Sequence, residues 1–357
     1  MNASTAEQKT LILVSADVAS IRRRLAEEED HPRQDFDVLA ERLDAEILSY
    51  ADLGATAPAC ARLLRRIAGP NVALAWLGFR RNADAYFTTA EKVGYPLALL
   101  LKFRRDARHV MIGHLLSPPH KKWFARLFRI FSRIDAMICY TSRQAKFAAQ
   151  VLRVPEKKIH RIGFQVDQDF YSPDGADEGV GVLSVGRELR DYETLIEALR
   201  DTDIPLTIVG SSPWSKRRDR LRNRRMPDNV SLKRGISFGE LRELYRNCAL
   251  AAIPLQPVES PAGVTTLLEA QAVGKPVVVS ASPGILDSLR AGRSAVIVPC
   301  GDAEAMRREI LAILENRERA LRIGAEGRSD VLARCTLDHF VDRIGKIFDE
   351  AGEGEGE

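Results

Sequence analysis

The sequence predicts an α/β protein with two domains, each built on a parallel sheet covered by helices on both faces. Short apolar, β-prone runs alternate with helical patterns along nearly the whole chain. At 357 residues the chain is too long for one ordinary hydrophobic core. The polar, glycine-rich segment Asp174–Gly179 separates two such series of elements, as expected of a linker.

The first series contains six predicted strands with helices in the gaps between them. The strands are Thr10–Ser15, Glu46–Tyr50, Ala85–Thr88, His109–Ile112, Asp135–Tyr140 and Lys158–Ile162. Examples of these helices are Ala90–Phe103, His120–Arg133 and Arg143–Leu152. The run Asn71–Gly78 is ambiguous, and we favour a strand.

The second series repeats the alternation and ends in helices. Its predicted strands are Val180–Val185, Leu206–Val209, Val230–Lys233, Leu250–Ile253, Pro276–Ser280 and Ala295–Val298. Its closing helices are Ala303–Glu315, Glu318–Ala333 and Thr336–Asp349. The tail Ala351–Glu357, rich in glycine and glutamate, is predicted to be disordered.

Composition excludes several classes of protein. No apolar run approaches the ~20 residues of a membrane helix, and the N-terminus lacks a secretory pattern. The five cysteines are scattered without CxxC spacing, which argues against disulfide frameworks and zinc sites and indicates a reducing cytoplasm. A net charge of +4 by itself implies no polyanionic partner.

The stretch Val258–Val278, VESPAGVTTLLEAQAVGKPVV, is typical of a loop that leads into a helix and a buried strand. Gly263 permits a tight turn and close approach of a ligand to the backbone. The following residues Val264–Thr266 open a helix whose first amides lack partners within the helix, and such an end binds phosphate. Glu269 adds an acceptor suited to a pair of sugar hydroxyls. A diphosphate and a ribose placed there would together describe a nucleotide-sugar.

From Ala262 to Val278 this stretch resembles the donor site of the family 4 retaining glycosyltransferases, which has the pattern E-x-F-G followed by L-E-A-M-A-x-G-x-P-V-V. The resemblance implies that Glu269 binds the ribose. Ser260 stands where the pattern has its first glutamate, and Glu259 lies one residue earlier. The role of Glu259 therefore stays open.

An upstream segment supports the same resemblance. The strand Val182–Val185 is followed by Gly186-Arg187 and then by Arg190, similar to the family's V-G-R and the lysine after it. In the family both cations face the donor diphosphate, and fixed cations stabilise the charge that builds on a leaving phosphate. The alternative is that both arginines are surface groups at the start of a helix. The segment Gly263–Glu269 follows them at the separation found in the family, which disfavours this alternative.

The resemblance implies the GT-B fold, in which two Rossmann-like domains face each other across a cleft that binds ligands at the carboxyl ends of the strands. The motif from Gly163 to Pro173 resembles the point where the family's chain leaves its first domain. We predict an acceptor-binding domain at 1–168, a nucleotide-sugar domain at 178–335, a helix at 336–350 that crosses back to the first domain, and the tail 351–357.

The first domain supplies candidate acceptor residues. His114 ends a short strand after Gly113, where the resemblance implies a histidine near the reacting sugar. A histidine that only satisfies a backbone carbonyl is the alternative. Glu91 follows another strand and either contacts the acceptor or favours the helix N-terminus by its charge.

The remaining donor contacts are implied by resemblance. Gly235 and Ile236, after the strand Val230–Lys233, form the expected nucleobase pocket, where backbone atoms read the base. The complete predicted donor set is Gly186, Gly235, Ile236, Ser260, Ala262, Gly263, Val264, Thr265, Thr266 and Glu269.

Two basic stretches have competing explanations. Lys216–Arg225 carries seven cations but no interleaved aromatic residues, which favours a solvated helix face over nucleic-acid binding. His120–Ile134 combines an apolar helical stripe with cations. It packs on its own sheet with the cations extending outward, or it lies on an anionic bilayer. We favour packing, and peripheral contact with the inner membrane face stays open.

The prediction is a retaining glycosyltransferase that needs no metal or other cofactor and uses a nucleoside-diphosphate sugar, with UDP favoured. The acceptor is a saccharide, a lipid-linked sugar or a small molecule, and no nucleic acid is involved. Arg187, Arg190 and His114 are the candidate catalytic residues. The alternatives are a catalytically silent binding protein, or a phosphorylase or epimerase, on the same fold.

Overall fold

The computed structural model describes residues 9–104, 106–114, 116, 129–175, 179–210, 226–289 and 293–353, with side chains to Ala351. It divides into two compact units. The first comprises Met1–Glu27, Arg33–Gly163 and Phe340–Glu357, and the second comprises Glu28–Pro32 and Phe164–His339. Each unit contains one six-stranded sheet in which every paired strand is parallel. The predicted α/β class with two parallel sheets is confirmed.

The sheet of the first unit has the strand order β2-β1-β3-β4-β5-β6. Its strands are β1 (Thr10–Leu13), β2 (Ala45–Leu48), β3 (Ala85–Thr88), β4 (Arg108–Ile112), β5 (Ala136–Cys139) and β6 (Ile159–Arg161). Every residue of β1, β3 and β5 is buried, so protein covers both faces of the sheet, as is usual for parallel sheets.

Helices connect these strands. They are α1 (Val18–Leu25), α2 (Asp35–Leu43), α3 (Ala59–Ala68), α4 (Pro70–Arg80), α5 (Glu91–Leu100) and α6 (Ser142–Gln150). Short 3-10 turns occupy Tyr50–Leu53, Leu101–Phe103, Ile130–Arg133 and Glu156–Lys158.

The strand favoured at Asn71–Gly78 was a wrong prediction, because these residues lie inside α4. Gly69 turns the chain with φ of 86°, and Pro70 occupies the first helical turn, where its missing N–H costs no hydrogen bond. The helix packs against both α3 and α5. Because it is buried on more than one side, its sequence shows no single apolar stripe from which a helix could have been identified.

The second unit repeats the architecture with the strand order β12-β11-β10-β7-β8-β9. Its strands are β7 (Val182–Val185), β8 (Leu206–Val209), β9 (Val230–Lys233), β10 (Leu250–Ile253), β11 (Val277–Ser280) and β12 (Val296–Val298). Its helices are α7 (Tyr192–Ala198), α8 (Phe238–Asn247), α9 (Val264–Ala272), α10 (Ala303–Leu314) and α11 (Arg317–Arg334). Successive residues of β7 and β10 enter two different apolar cores, one on each face of the sheet.

The last helix, α12 (Leu337–Glu353), follows the second unit, and its residues from Phe340 onward belong to the first unit. Arg108 donates a 3.2 Å hydrogen bond from Nη1 to the carbonyl of Phe348 and lies over its ring. The helix continues to Glu353 and therefore includes three residues of the tail that was predicted to be disordered. Residues 354–357 lie outside the described part.

The two basic stretches fall largely outside the described residues, so neither interpretation of them is tested. All of Lys216–Arg225 is outside, and of His120–Ile134 only 129–134 is described, with a 3-10 turn at Ile130–Arg133. Within the described ranges, no helix has the length and apolar character that crossing a bilayer requires.

Candidate functional site

The predicted donor residues follow three strands of the second unit, β7, β9 and β10, at the points where these strands end. Since the strands are parallel, the loops emerge at one edge of the sheet. An isolated bridge pairs Arg190 with Leu255, and the amide of Asp191 donates to the carbonyl of Pro254 at 3.0 Å. The loop after β7 and the loop after β10 are thereby joined.

The start of α9 has the geometry expected of an anion site. Gly263 precedes the helix in the left-handed region with φ of 87°, and no side chain caps it. A Cβ atom at Gly263 would lie 3.0 Å from Cγ2 of Ile253, so both conformation and space favour glycine. Thr265 is exposed at the helix start while Val264 and Thr266 are buried. The first amides of α9 therefore donate no hydrogen bond to a capping side chain.

Arg190 lies against the first turn of α9. Its Nη2 donates to Oγ1 of Thr266 at 3.0 Å, its Nε to the carbonyl of Val185 at 3.0 Å, and its Nη1 to the carbonyl of Glu188 at 3.1 Å. A guanidinium has five N–H groups, so one remains on each terminal nitrogen. Burial lowers the pKa of Arg190 below its ordinary value. The cation is fixed by neutral partners, which keeps its charge available for an anion.

Gly186 makes room for this guanidinium. With φ of 110° it turns the chain directly after β7, and a Cβ atom there would lie 2.4 Å from Nη2 of Arg190. The hydroxyl of Tyr192 donates to the carbonyl of Gly186 and braces the turn. Gly186 therefore acts in this structure by positioning Arg190.

Arg187, the second predicted cation, forms no hydrogen bond or ion pair with any described residue. Its Nε is buried without a partner, although the residue as a whole is only partly buried. A guanidinium that lacks a protein partner is suited to a charged ligand, because an unsatisfied buried donor costs about 1–3 kcal/mol.

Glu269 lies one turn into α9 and accepts a 2.8 Å hydrogen bond from the hydroxyl of Tyr245 at Oε2. Burial raises the pKa of Glu269 to about 7, because it disfavours the charged carboxylate. The hydroxyls of Tyr245 and Tyr171 and the charge of Arg190 lower the pKa and partly offset this rise. The Tyr171 hydroxyl is itself buried and has no hydrogen-bond partner of good geometry. Oε1 of Glu269 remains for a ligand hydroxyl.

The loop before α9 is held by two residues that sequence reasoning missed. Ser282 accepts a hydrogen bond from the amide of Val258 at 3.0 Å, and the amide of Gly284 donates to the carbonyl of Val258 at 2.9 Å. A Cβ atom at Gly284 would lie 1.9 Å from the carbonyl oxygen of Ser260. Nothing in the sequence near Gly284 indicated this contact, since it joins segments far apart along the chain.

The other predicted residues of this edge are placed as follows. The amide of Ala262 donates to the carbonyl of Ser260 at 2.7 Å, which forms a tight turn before Gly263. Gly235 follows β9 with φ of 65°, and Ile236 packs partly buried against the core beneath the edge. Glu259 is exposed.

The acceptor candidates lie in the first unit, where His114 follows β4 and is held on two sides. Its Nε2 is 2.8 Å from the carbonyl of Thr89, so Nε2 carries a proton, because a carbonyl only accepts. Its amide donates to Oε2 of Glu91 at 2.9 Å. Desolvation lowers the pKa of His114, which favours a neutral ring whose Nδ1 bonds to no described residue. Nδ1 is thus available to accept a proton or hydrogen bond.

Glu91 is only 2% exposed and lies at the first position of α5. Its carboxylate is occupied by the His114 amide. The structure thus gives Glu91 a positioning contact with His114, and the predicted contact with an acceptor stays a prediction.

Sequence reasoning also missed the neighbours of His114. The ring of Tyr140 lies 5.1 Å from the imidazole between centroids, and Nε2 of Gln144 donates to the His114 carbonyl at 2.9 Å. Asp35, at the start of α2, is close enough for its charge to act on His114, and burial raises the pKa of Asp35. No motif marks Asp35, because it is the first residue of an ordinary amphipathic helix.

Comparison with known proteins identifies the chain. Residues 174–330 match the family described as Glycosyl transferases group 1. The chain is a glycosyltransferase whose second unit carries a group 1 domain. The matched residues include all of β7–β12 and the edge that holds Arg187, Arg190 and Glu269.

Individual relatives agree with this assignment. Over 265 residues the glycosyltransferase is 26% identical to a GDP-mannose-dependent α-(1-6)-phosphatidylinositol monomannoside mannosyltransferase of Mycolicibacterium smegmatis, covering 65% of this chain and 68% of that protein. Its fold is similar to that of a Rickettsia africae glycosyltransferase, with a TM-score of 0.71 and 15% identity over 97% and 99% of the two chains. It is also similar to Anabaena Alr3699/HepE in complex with UDP and glucose, with a TM-score of 0.67 and 15% identity over 96% and 100%. The GT-B fold is thereby confirmed.

Proposed function

We propose that this glycosyltransferase moves a hexose from a nucleoside-diphosphate sugar to a hydroxyl acceptor with retention of configuration and without a metal ion. The contact between Arg190 and Thr266 carries the proposal, because it fixes a cation beside the uncapped start of α9. Two independent sources of positive potential at one place suit a diphosphate.

In the proposed complex the second unit holds the donor. The first amides of α9, the two free N–H groups of Arg190 and the unpartnered Arg187 bind the diphosphate. The remaining oxygen of Glu269 accepts from a ribose hydroxyl. Gly235 and Ile236 border the base, which backbone atoms recognise.

The chemical step requires no protein base. The bond between the anomeric carbon and the phosphate oxygen breaks while the acceptor oxygen bonds to that carbon from the same face. The acceptor proton passes to the departing phosphate, and Arg187 and Arg190 stabilise its charge. These cations supply the electrostatic role that a metal has in other transferases.

We assign the acceptor side to the first unit. The neutral imidazole of His114, held by Thr89 and Glu91, orients the transferred sugar or stabilises positive charge that develops on it. The name of the mannosyltransferase relative makes a lipid-linked sugar one acceptor to test, beside free saccharides and small molecules.

Release of nucleoside diphosphate from UDP-glucose and GDP-mannose tests the proposal. Anabaena Alr3699/HepE, a protein of similar fold, has a crystal structure in complex with UDP-glucose, and the mannosyltransferase relative is described as GDP-mannose-dependent. The proposal is supported if the parent protein turns over in excess chelator and the variants Arg187→Ala and Glu269→Ala do not. An NMR spectrum of the product's anomeric proton tests retention of configuration. Donor binding without turnover for any acceptor would contradict it.

A further inference from the structure

Helix α3 presents an unusual apolar strip to solvent. Leu63 is 57% exposed and Ile67 is 75% exposed. With the exposed Cys60 they occupy one side of the helix, because residues three and four apart share a face. Ala61 is the one buried residue of the helix. The strip is unpartnered in the described structure and unnecessary for the core.

The same helix carries three arginines, Arg62, Arg65 and Arg66. Two are tethered to backbone carbonyls: Nη1 of Arg62 donates to Ala55 at 3.0 Å and Nη1 of Arg65 to Leu53 at 2.9 Å. None of the three pairs with a described carboxylate, and Arg66 makes no hydrogen bond to a described residue. The sequence from Leu53 to Pro70 contains no acidic residue. The apolar strip is therefore bordered by uncompensated positive charge.

The position of α3 relative to the first sheet places it near the candidate acceptor residues. The hydroxyl of Tyr50, directly after β2, donates to Asn71 at the start of α4, and the tethers of α3 reach the loop just after this point. The junction of α3 and α4 therefore lies at the carboxyl edge of the first sheet. His114 follows β4 at the same edge.

Three kinds of occupant can be compared with this surface. A polyanion would use the arginines but gain nothing from Leu63 and Ile67. A second copy packed through α3 about a twofold axis would bring the arginines of both copies together. An anionic bilayer uses both features, since apolar side chains enter the acyl boundary while cations meet the headgroups.

We propose that α3 binds this protein to the surface of an anionic phospholipid bilayer, with Leu63 and Ile67 inserted and Arg66 at the headgroups. The contact is peripheral and distinct from the cationic stretch 120–134. It does not depend on glycosyl transfer, so failure of the vesicle experiment below leaves the proposed reaction standing.

The full-length protein is mixed with sedimenting vesicles of phosphatidylcholine, with or without phosphatidylglycerol. Binding is expected to the anionic vesicles, weakened by salt. The double variant Leu63→Gln/Ile67→Gln should lower the partition coefficient on the order of tenfold, and Arg66→Gln by roughly fivefold. The matched control Leu321→Gln/Leu332→Gln, which replaces exposed leucines of α11, should bind as the parent does.

A second measurement needs no substitution. Among the cysteines only Cys60 is exposed, so an environment-sensitive dye labels it preferentially. Its emission should shift to the blue on anionic vesicles and not in their absence.

Three results would overturn the proposal. The first is that the parent protein fails to bind anionic vesicles. The second is that the double variant binds as well as the parent, which would assign the contact to another surface. Alternatively, sedimentation without lipid shows a dimer that Leu63→Gln/Ile67→Gln dissociates, which assigns the strip to a second copy.

Discussion

The hydroxyl of Thr266 accepts a hydrogen bond from Nη2 of Arg190 at 3.0 Å and itself donates to the carbonyl of Val185 at 3.3 Å. The end of β7 and the loop that follows it are joined through these two side chains to the first turn of α9, which lies far away in sequence. Arg190 thus holds these segments together through its hydrogen bonds and also supplies a positive charge. Variants can separate the effect of the hydrogen bonds from the effect of the charge.

Arg190→Lys is expected to impair the enzyme strongly although it keeps the positive charge. An ammonium group cannot reach the Val185 and Glu188 carbonyls and the Thr266 hydroxyl with the fork geometry of a guanidinium. We expect kcat/KM to fall about a hundredfold in steady-state assays of nucleotide release.

Arg187→Lys is the matched control for this variant. Arg187 makes no hydrogen bond to a described residue, so a lysine there should cost less than about tenfold in kcat/KM. Equal losses in the two variants would show that charge alone matters at both positions.

Thr266→Val should lower stability as well as activity. The substitution preserves shape but leaves Nη2 of Arg190 without its acceptor, at a cost of about 1–2 kcal/mol in the free energy of unfolding. Denaturant titration measures that cost. Thr265→Val, on the exposed side of the same turn, should leave the unfolding free energy unchanged.

Donor affinity should weaken as the pH falls through about 7. The protein environment raises the pKa of Glu269 to about 7, so below that pH the free enzyme holds a protonated carboxyl, which accepts less strongly from a ribose hydroxyl. Calorimetric titration of the nucleoside diphosphate between pH 6 and 8 measures the change. Glu269→Gln should bind weakly at each pH, and an unchanged pH profile in this variant would exclude Glu269 as its source.

The same group affects stability with the opposite sense. Because its folded-state pKa is raised above 4.5, the folded protein binds the proton more tightly, and the stability that Glu269 contributes declines as pH rises from about 4.5 to 7. Glu269→Gln should therefore raise the melting temperature at pH 8 relative to the parent, more than at pH 5. An equal change at both pH values would contradict the assignment.

Glu91 can be tested as a positioning residue for His114. Glu91→Ala leaves the His114 amide without its acceptor and should reduce both kcat and stability, by about 1–3 kcal/mol for the latter. Glu91→Gln retains an acceptor oxygen and should restore most of kcat. If Glu91 instead binds the acceptor through its charge, glutamine will not rescue, and the KM for the acceptor will rise.

Gly284→Ala should displace the loop before α9. The new methyl group would meet the Ser260 carbonyl oxygen at 1.9 Å, and backbone cannot yield as a flexible side chain does. We expect a higher dissociation constant for the nucleoside diphosphate in a titration. Gly239→Ala, whose methyl group has nothing nearer than 3.9 Å, is the control.

The strands were predictable from sequence because their signal is local. Leu206–Val209, Val230–Lys233 and Leu250–Ile253 have the predicted bounds, since each is a short apolar or alternating run. The helix α4 was missed for the converse reason: burial on several sides removed its periodic pattern. The start of α9 at Val264 was expected from Gly263 and the motif after it.

The partners of the site residues could not be predicted in this way. Tyr245 reaches Glu269 from α8, and Gly284 supports Ser260 from beyond β11, so neither pairing has a sequence spacing that would announce it. Motifs identified which residues carry charge at the edge. Only the fold shows which side chains hold them in place.

The terminal helix α12 has a consequence for biosynthesis. Arg42 and Arg108 are translated early, but their contacts with Asp349 and Phe348 form only after the second unit and α12 have left the ribosome. The first unit therefore stays incomplete while the second is being made, although domains generally fold in the order of their synthesis. A nascent chain stalled before α12 should expose the surface that this helix covers and depend on chaperones until α12 has been synthesised.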